Sequence, residues 1–243
     1  MRAWGRTHIV SGMNQTIVNE TAWLFDLDNT LYPASCRLFD QVDRRMGEFV
    51  QQALGLDDSG EARRIQKQYL REHGTTLRGL MDRHGIAPEA YLDYVHAIDL
   101  SPIQPNPALD AALARLPGRK LIFTNGSVPH AEGILDRLGV ARHFEAVYDI
   151  AAADYVPKPD RTAYEGVVRR HALTPAATVF FDDMPRNLAP AAELGMTTVW
   201  VRTDSEWARL DNTGEEPFIH HRTDDLVGWL AGRAQSGTAA EKA

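Results

Sequence analysis

The stretch of sequence that decides the fold spans residues 23–33 and reads WLFDLDNTLYP. Its apolar start ends abruptly in two carboxylates, Asp26 and Asp28, one residue apart. Residues at i and i+2 of a strand lie on one face, so both carboxylates can converge where a strand ends. The apolar run shows no alternation with polar residues, which is typical of a strand buried on both faces of a parallel sheet. Because open parallel sheets bind ligands outside the carboxyl ends of their strands, the pair predicts a functional site.

The carboxylate pair also indicates what the site binds. Two carboxylates held together repel each other, so they imply either a cation between them or a shared proton, and hard oxygen ligands favour Mg²⁺. The alternative is a loop of solvated acids, which is what most aspartate pairs are. The pair alone leaves both interpretations open.

A second cluster follows the apolar residues 121–123. It reads Thr124-Asn125-Gly126-Ser127 and leads into a helix-like stretch from 129 to 138. A glycine-containing turn at a helix N-terminus exposes backbone N–H groups that bind phosphate. The ordinary alternative is a Ser/Thr turn with no ligand.

Two further clusters supply a cation and more acid. Lys158 stands between two prolines, so the backbone that carries its ammonium group is stiff. The apolar residues 178–181 end in a second acidic pair, Asp182 and Asp183. A surface lysine and a helix-capping aspartate would explain each cluster separately. Together the four clusters supply metal ligands, phosphate donors and a cation.

These four clusters, in this order over residues 22 to about 200, resemble the motifs of the haloacid dehalogenase superfamily of phosphotransferases. Those motifs are an Asp-x-Asp-x-Thr loop, a Thr/Ser strand end, a lysine and an Asp-Asp-x-x-x-Asn loop. Within the superfamily, the extended first motif FDLDNTLYP at residues 25–33, with a helical insert directly after it, resembles the pyrimidine 5′-nucleotidase group.

The resemblance implies a role for each polar residue. Asp26 would be the nucleophile that forms an aspartyl phosphate, Asp28 the general acid and base, and Lys158 the cation that bridges nucleophile and phosphate. Fixed donors aimed at the transferring group are the usual source of phosphoryl-transfer catalysis. The expected phosphate-binding groups are Lys158, the Thr124 hydroxyl and the backbone N–H groups of Asn125 and Gly126.

The resemblance also implies a Mg²⁺ cofactor, held by carboxylates and by the backbone carbonyl of Asp28. Asp183 ranks above Asp182 as direct ligand, because it lies four residues before Asn187; Asp182 is left to coordinate through water. The residues expected at the ion are Asp26, Asp28, Asp182 and Asp183, with Thr30 and Asn187 supporting them.

The chain divides by pattern. Between the first loop and residue 104, apolar residues recur at helical spacing, which predicts four helices forming a cap over residues 34–104. Residues 105–232 alternate helix and strand and, with residues 21–33, predict the catalytic core. The fold class is therefore α/β, a doubly wound, Rossmann-like parallel sheet with an all-helical cap inserted after the first strand. Residues 1–20 and 233–243 are expected to be disordered tails.

Two details concern the end of the core. Phe218 and Ile219 predict a short edge strand, and Thr223, with the acids after it, predicts the capped start of a final helix through Trp229. Position 13 is a second methionine at which the chain could start.

Composition bounds the environment. The chain has 243 residues, 44% hydrophobic, and a net charge of −7, which disfavours nonspecific nucleic-acid binding unless basic residues cluster locally. Its single cysteine, Cys36, permits no internal disulfide. No run is apolar enough for a signal peptide or membrane span, so we expect a cytoplasmic protein without a membrane partner, in an oligomeric state that the sequence leaves open. The residues that could form a local basic cluster for nucleic-acid binding are Arg44, Arg45, Arg63, Arg64 and Lys67.

The expected activity is Mg²⁺-dependent hydrolysis of a phosphate monoester, with a pyrimidine nucleoside 5′-monophosphate as substrate. Two alternatives remain: a phosphatase of another small metabolite, such as phosphoglycolate or a phosphosugar, and a non-catalytic nucleotide-binding module. Dehalogenation is disfavoured because that chemistry does not need the second acid, Asp28, of the pair.

Overall fold

The structure is a computed structural model that describes residues 20–203 and 216–240. The expected N-terminal tail, apart from residue 20, and the last three residues of the chain lie outside the described residues.

Six parallel strands form one sheet in the order β3-β2-β1-β4-β5-β6. The central strand, β1, pairs with β2 on one side and with β4 on the other. The chain builds the sheet outward from β1 in one direction and then from β4 in the other, so the topological switch point lies between these two strands. The strands are β1 Ala22–Phe25, β2 Arg119–Phe123, β3 Ala146–Tyr148, β4 Thr178–Asp182, β5 Thr197–Val201 and β6 His221–Thr223.

Helices cover both faces of this sheet. Trp23 and Phe25 of β1 point into the core that α5, α6 and α9 complete, while Leu24 points into the core under α7 and α8. Both cores are apolar, which explains why β1 has no polar alternation. The predicted doubly wound α/β fold is therefore confirmed. The helices are α5 Pro107–Arg115, α6 Val128–Leu138, α7 Arg161–His171, α8 Pro185–Glu193 and α9 Leu226–Ala240.

The four helices predicted after the first strand are also present. They form the helical insert and pack around an apolar core of their own, which includes Val42, Tyr69, Leu80 and Val95. Gly55 caps the first helix with φ +64°. The helices of the insert are α1 Leu38–Leu54, α2 Ser59–His73, α3 Thr76–His84 and α4 Pro88–His96.

The structure differs from the sequence prediction near the end of the core. The edge strand is formed by His221–Thr223 instead of Phe218 and Ile219, because the N–H of Ile219 turns back to the carbonyl of Glu216. The last helix begins after Asp225, one of the acids predicted at its capped start, whose Oδ1 accepts from the N–H of Gly228 at 2.9 Å.

The final helix continues to Ala240, into the segment for which composition predicted a tail, and the tail stays a prediction. In addition, Arg233 pairs with Glu20 at 3.0 Å, which ties the helix to the residues before β1.

The candidate basic residues of the insert are each engaged by a neighbour. Arg63 and Lys67 pair with Asp43, and Arg45 stacks on the ring of Tyr94. Arg44 pairs with Glu48 and Arg64 with Asp58. No helix within the described ranges is both long and apolar enough to cross a membrane.

The turn into β2 generates a stability prediction. Gly118 has φ +82°, and a Cβ added there would lie 2.6 Å from the carbonyl oxygen of Thr21. Gly139 has a similar φ of +74° but open space around it. We expect Gly118→Ala to lower the free energy of unfolding by about 2–4 kcal/mol, the sum of backbone strain and steric overlap, and Gly139→Ala by about 1–2 kcal/mol. Urea denaturation measures both; equal losses would contradict the steric argument.

Candidate active site

The predicted polar residues converge at the carboxyl ends of β1, β2 and β4. Asp26 directly follows β1, and its N–H donates to the carbonyl of Phe181 at 2.8 Å, so the strand pairing continues to the site itself. Thr124 directly follows β2, and Asp182 is the last residue of β4. The site therefore lies at the topological switch point, where open α/β sheets bind ligands.

Lys158 joins these strand ends from the loop before α7. Its ammonium donates to Asp26 Oδ1 at 2.8 Å, to Asp182 Oδ2 at 2.7 Å and to the carbonyl of Phe123 at 2.9 Å. Burial alone would lower the pKa of Lys158, but the two carboxylates outweigh it and raise the pKa to about 12. The buried side chain is therefore a fixed positive charge.

Asn125 fixes the backbone that carries this lysine. Its Oδ1 accepts from the N–H of Lys158 at 2.8 Å, and its Nδ2 donates to the carbonyl of Lys158 at 3.2 Å. The side chain of Asn125 thus braces the loop between the two prolines, a role that the sequence analysis did not predict.

Three buried carboxylates face this single ammonium. Asp26, Asp182 and Asp183 each have an oxygen within 4.8 Å of the others. Burial, together with the neighbouring charges of Asp182 and Asp28, raises the pKa of Asp26 to about 7 despite the opposing effect of Lys158. Burial, together with the neighbouring charges of Asp26 and Asp182, raises the pKa of Asp183 well above its usual range. With all three carboxyls ionised, the cluster would carry more negative charge than Lys158 balances, as expected of a site for a divalent cation.

The two acids of the second pair are used differently. Asp182 is saturated, because it accepts from Lys158, from Asn187 Nδ2 at 2.9 and 3.1 Å, and from the N–H of Met184 at 2.9 Å. The Asp183 carboxylate makes no hydrogen bond within the described part of the chain and lines the cavity. This geometry supports Asp183 as the direct ligand.

A buried amide oxygen beside the acidic cluster also fits a site for a hydrated cation. The Oδ1 of Asn187 is buried and has no hydrogen-bond partner in residues 20–203 and 216–240. Buried acceptors of this kind normally bond to water or to an ion. Carboxylate and amide oxygens are the donor set that Mg²⁺ prefers.

Both oxygens of Asp26 are held in place. Lys158 bonds to Oδ1, and the Thr30 hydroxyl donates to Oδ2 at 2.9 Å. Thr30 is brought back by a tight turn in which its N–H and that of Leu31 both donate to the carbonyl of Leu27. Thr30 therefore supports Asp26, as the sequence analysis expected.

Asp28 is held by two residues that the sequence analysis missed. Its Oδ1 accepts from the Tyr32 hydroxyl at 2.6 Å and pairs with His130 Nε2 at 2.9 Å. Burial alone would raise the pKa of Asp28, but His130 and Tyr32 outweigh it and hold the pKa below its usual value. The signal for Tyr32 was its position four residues after Asp28 in the opening stretch. His130, 102 residues away in the chain, had no such signal.

A second histidine lies beside His130. The rings of His96 and His130 stack with centroids 4.2 Å apart, and His96 Nδ1 pairs with Ser127 Oγ at 2.9 Å. Burial and the neighbouring His130 lower the pKa of His96 to about 3, so its ring is neutral. His96 is the last residue of α4, so this stack joins the helical insert to the core.

The expected phosphate-binding turn is partly closed on itself. The N–H of Gly126 donates to Thr124 Oγ1 at 2.9 Å, which is the Ser/Thr turn of the ordinary interpretation. The first N–H of α6, from Val128, donates to Asp149 Oδ2 at 3.1 Å and is not free for a ligand. The N–H of Asn125 makes no hydrogen bond to any described residue, which leaves it available for phosphate.

A cavity of about 190 Å³ lies between the acidic cluster and the helical insert. The core side of this cavity is polar and includes Asp26, Asp28, Lys158 and Asp183. The opposite wall comes from the insert and is mainly apolar. Its side chains include Phe39, Val42, Met46, Leu70, Tyr91 and Leu92.

Comparison with known proteins fixes the family. The family model described as haloacid dehalogenase-like hydrolase matches residues 21–195, most of the chain. The chain belongs to this family. The predicted superfamily is therefore confirmed, while the narrower pyrimidine 5′-nucleotidase assignment stays a prediction.

Two relatives and one solved structure are similar to this haloacid dehalogenase-like hydrolase. Phosphate metabolism protein 8 of Saccharomyces cerevisiae is 31% identical over 192 residues, which cover 72% of this chain and 59% of the yeast protein. Glyceraldehyde 3-phosphate phosphatase of Methanopyrus kandleri is 28% identical, with 74% of this chain and 83% of that protein covered. The HAD phosphatase from Thermococcus onnurineus shares the fold, with a TM-score of 0.57, 19% identity and coverage of 88% and 97%.

The raised pKa of Asp183 predicts how stability depends on pH in the presence of EDTA. Above pH 3.8 the unfolded chain releases the Asp183 proton while the folded protein retains it, so stability falls as pH rises. Asp183→Asn removes the carboxyl that causes this loss. We therefore expect the free energy of unfolding of Asp183→Asn, relative to that of the original protein, to be higher at about pH 8 than at about pH 5 by at least about 1 kcal/mol, or about 2–4 °C in Tm.

Thermal unfolding of both proteins in EDTA at the two pH values measures this difference. Asp93→Asn, at an exposed position of the insert, changes the same charge away from the site and serves as control. A Tm difference between Asp183→Asn and the original protein that does not change with pH would contradict the argument.

Proposed function

We propose that this hydrolase cleaves phosphate monoesters with Mg²⁺ through an aspartyl phosphate on Asp26. The observation that carries the proposal is the arrangement of Asp26 and Asp28. Asp26 has both oxygens oriented inside a cation site, and Asp28 stands two residues further on, in the same cavity, held by separate partners. One carboxylate is thereby prepared for attack and the other for proton transfer.

In the first step, a carboxylate oxygen of Asp26 attacks phosphorus and the bond to the leaving oxygen breaks. Lys158 and the N–H of Asn125 offset charge on the phosphoryl oxygens. Asp28 donates a proton to the leaving oxygen. Its pKa is lowered in the free protein, but a phosphate dianion beside it acts in the opposite direction, because a like charge favours the protonated carboxyl.

In the second step, Asp28 takes a proton from a water molecule that attacks the aspartyl phosphate. The bond between phosphorus and Asp26 breaks, and inorganic phosphate and the free carboxylate are formed. Dividing one slow displacement into two steps is the usual advantage of a covalent intermediate.

The metal site belongs to the same proposal. Asp26, Asp183 and the backbone carbonyl of Asp28 would hold Mg²⁺, with Asp182 acting indirectly through Lys158 and Asn187. Bound there, Mg²⁺ would offset the charge of the attacking carboxylate and of the phosphoryl oxygens. The exclusive use of oxygen donors supports Mg²⁺ over softer metals.

We propose a pyrimidine nucleoside 5′-monophosphate as the substrate, with the helical insert as the cap that selects it. The extended motif at residues 25–33 supports this choice. The apolar wall of the cavity also suits a planar base better than a chain of hydroxyl groups. The second candidate is a small phosphosugar or phosphoglycolate, favoured by the likeness to a glyceraldehyde 3-phosphate phosphatase. A non-catalytic nucleotide-binding module would not need both a nucleophile and an acid–base group.

The mechanism predicts strict metal dependence and a covalent intermediate. Hydrolysis of p-nitrophenyl phosphate is expected to stop in excess EDTA and to return with Mg²⁺. Asp26→Asn is expected to lower kcat by a factor of about 10⁴ or more, because the amide keeps the volume but is no nucleophile. Acid quenching with radiolabelled substrate is expected to trap labelled protein only when Asp26 is present. Asp93→Asn is the matched control; full activity in EDTA or in Asp26→Asn would refute the mechanism.

A substrate panel tests the specificity. We expect kcat/KM to rank UMP and CMP above AMP and GMP, and all four above phosphoglycolate, glyceraldehyde 3-phosphate and hexose phosphates. Contacts between the insert and the leaving group are expected to be used in the transition state and so to appear in kcat/KM. The panel is measured by phosphate release. If a phosphosugar or phosphoglycolate ranks first, the nucleotide assignment is wrong while the phosphatase mechanism is retained.

A further inference from the structure

The Asp28 carboxylate is held through only one of its oxygens. The Tyr32 hydroxyl and His130 Nε2 both bond to Oδ1, at 2.6 and 2.9 Å. Oδ2 makes no hydrogen bond to any residue in the described ranges. A carboxylate held in this way has a fixed plane and one oxygen left for chemistry.

The ring of His130 is itself fixed on two sides. It lies in the first turn of α6, and one face stacks on His96 with an angle of 14° between the rings. His96 is held in turn by Ser127. Gly126 leaves room for the stack, because a Cβ at this position would lie 3.3 Å from His130 Cδ2 and 3.7 Å from His96 Cε1.

The bond to Asp28 is the one polar contact that His130 makes in the part of the chain described here. Its other nitrogen, Nδ1, is buried without a partner. A buried, half-satisfied imidazole destabilises a fold compared with an apolar side chain of similar size. Its presence is explained if the contact with Asp28 is needed for function.

We propose that His130 and Tyr32 are positioning residues for Asp28, which fix Oδ1 so that Oδ2 carries the proton in both chemical steps. In the first step Oδ2–H gives its proton to the leaving oxygen as the P–O bond breaks. In the second, Oδ2 takes a proton from water as the new O–P bond forms. His96 extends this alignment to the helical insert. The inference rests on the proposed role of Asp28 as general acid and base.

This role predicts a dependence on the leaving group. An alkoxide, such as the ribose oxygen of UMP, needs a proton when it departs, whereas p-nitrophenolate leaves readily without one. If the Asp28 carboxyl is misaligned, proton donation to the leaving group is impaired, and kcat/KM falls more for UMP than for p-nitrophenyl phosphate. Hydrolysis of the aspartyl phosphate needs the base for either substrate, so kcat falls with both.

The test compares two variants of His130. His130→Phe keeps a ring that can stack on His96 but has no donor, while His130→Gln keeps an N–H donor and loses the ring. For His130→Phe we expect a loss in kcat/KM of about 10- to 100-fold with UMP, the range for outer partners that orient a functional group, and less than about 3-fold with p-nitrophenyl phosphate. With p-nitrophenyl phosphate this variant is also expected to give a burst of nitrophenol, because phosphoenzyme accumulates.

His130→Gln is expected to recover most of the loss seen in His130→Phe. Tyr32→Phe, which removes only a hydroxyl, is expected to change kcat/KM in the same way as His130→Phe, with a larger loss for UMP than for p-nitrophenyl phosphate. This variant carries the test if His130→Phe does not fold. The matched control is His143→Phe, because His143 Nε2 pairs with Asp110 Oδ1 at 2.7 Å and forms a similar histidine–aspartate pair away from the site. We expect kcat/KM for both substrates to stay unchanged in this control.

The inference is overturned if His130→Phe lowers kcat/KM equally for both substrates and His130→Gln is no better, as a purely structural role requires. Unchanged kinetics in both His130→Phe and Tyr32→Phe overturn it as well. Failure of the proposed function looks different: the unmodified protein then hydrolyses neither ester, or Asp26→Asn remains active.

Discussion

The buried ammonium of Lys158 is the interaction on which the rest of the site depends. It bonds to Asp26 after β1, to Asp182 at the end of β4 and to the carbonyl of Phe123 at the end of β2. Without this positive charge, three buried carboxylates would repel one another at the point where the central strands meet. The loop that carries Lys158 is clamped by Asn125, so the charge is placed by two hydrogen bonds to the backbone as well as by the acids it neutralises.

One lysine cannot balance the three carboxyls of the cluster when all of them are ionised. Burial and mutual repulsion raise the pKa values of Asp26 and Asp183, whereas Asp28 is kept in its ionised form by His130 and Tyr32. Neighbouring carboxylates in one cavity therefore differ in proton affinity because they have different partners. A divalent cation at Asp26 would lower the pKa of that carboxyl, and a phosphate beside Asp28 would raise the pKa of the other, so the bound groups would give each carboxyl the protonation state that its proposed role needs. The acidic cluster also suits a divalent cation, which would offset the charge that Lys158 leaves unbalanced.

The helical insert contributes more than a wall. Its apolar core is separate from the two cores of the sheet, yet His96 at the end of α4 stacks on His130 and bonds to Ser127. The insert is therefore in contact with the residue that holds Asp28. Contact of this kind would let a leaving group bound by the insert affect proton transfer, because His96 of the imidazole stack lines the cavity.

The sequence by itself determined the sheet, the four helices of the insert and the main acidic and basic residues. Each follows from a local pattern: a strand with no polar alternation, helical periodicity ended by glycine, and polar residues at strand ends such as Asp26 and Thr124. Local pattern also misplaced the edge strand, because its position depends on pairing with β5. Only the tertiary structure decided that Asp182 serves Lys158 while Asp183 faces the cavity, and that His130 and His96 meet at Asp28. These contacts join residues distant in the chain, and their geometry comes from packing between elements that no local pattern records.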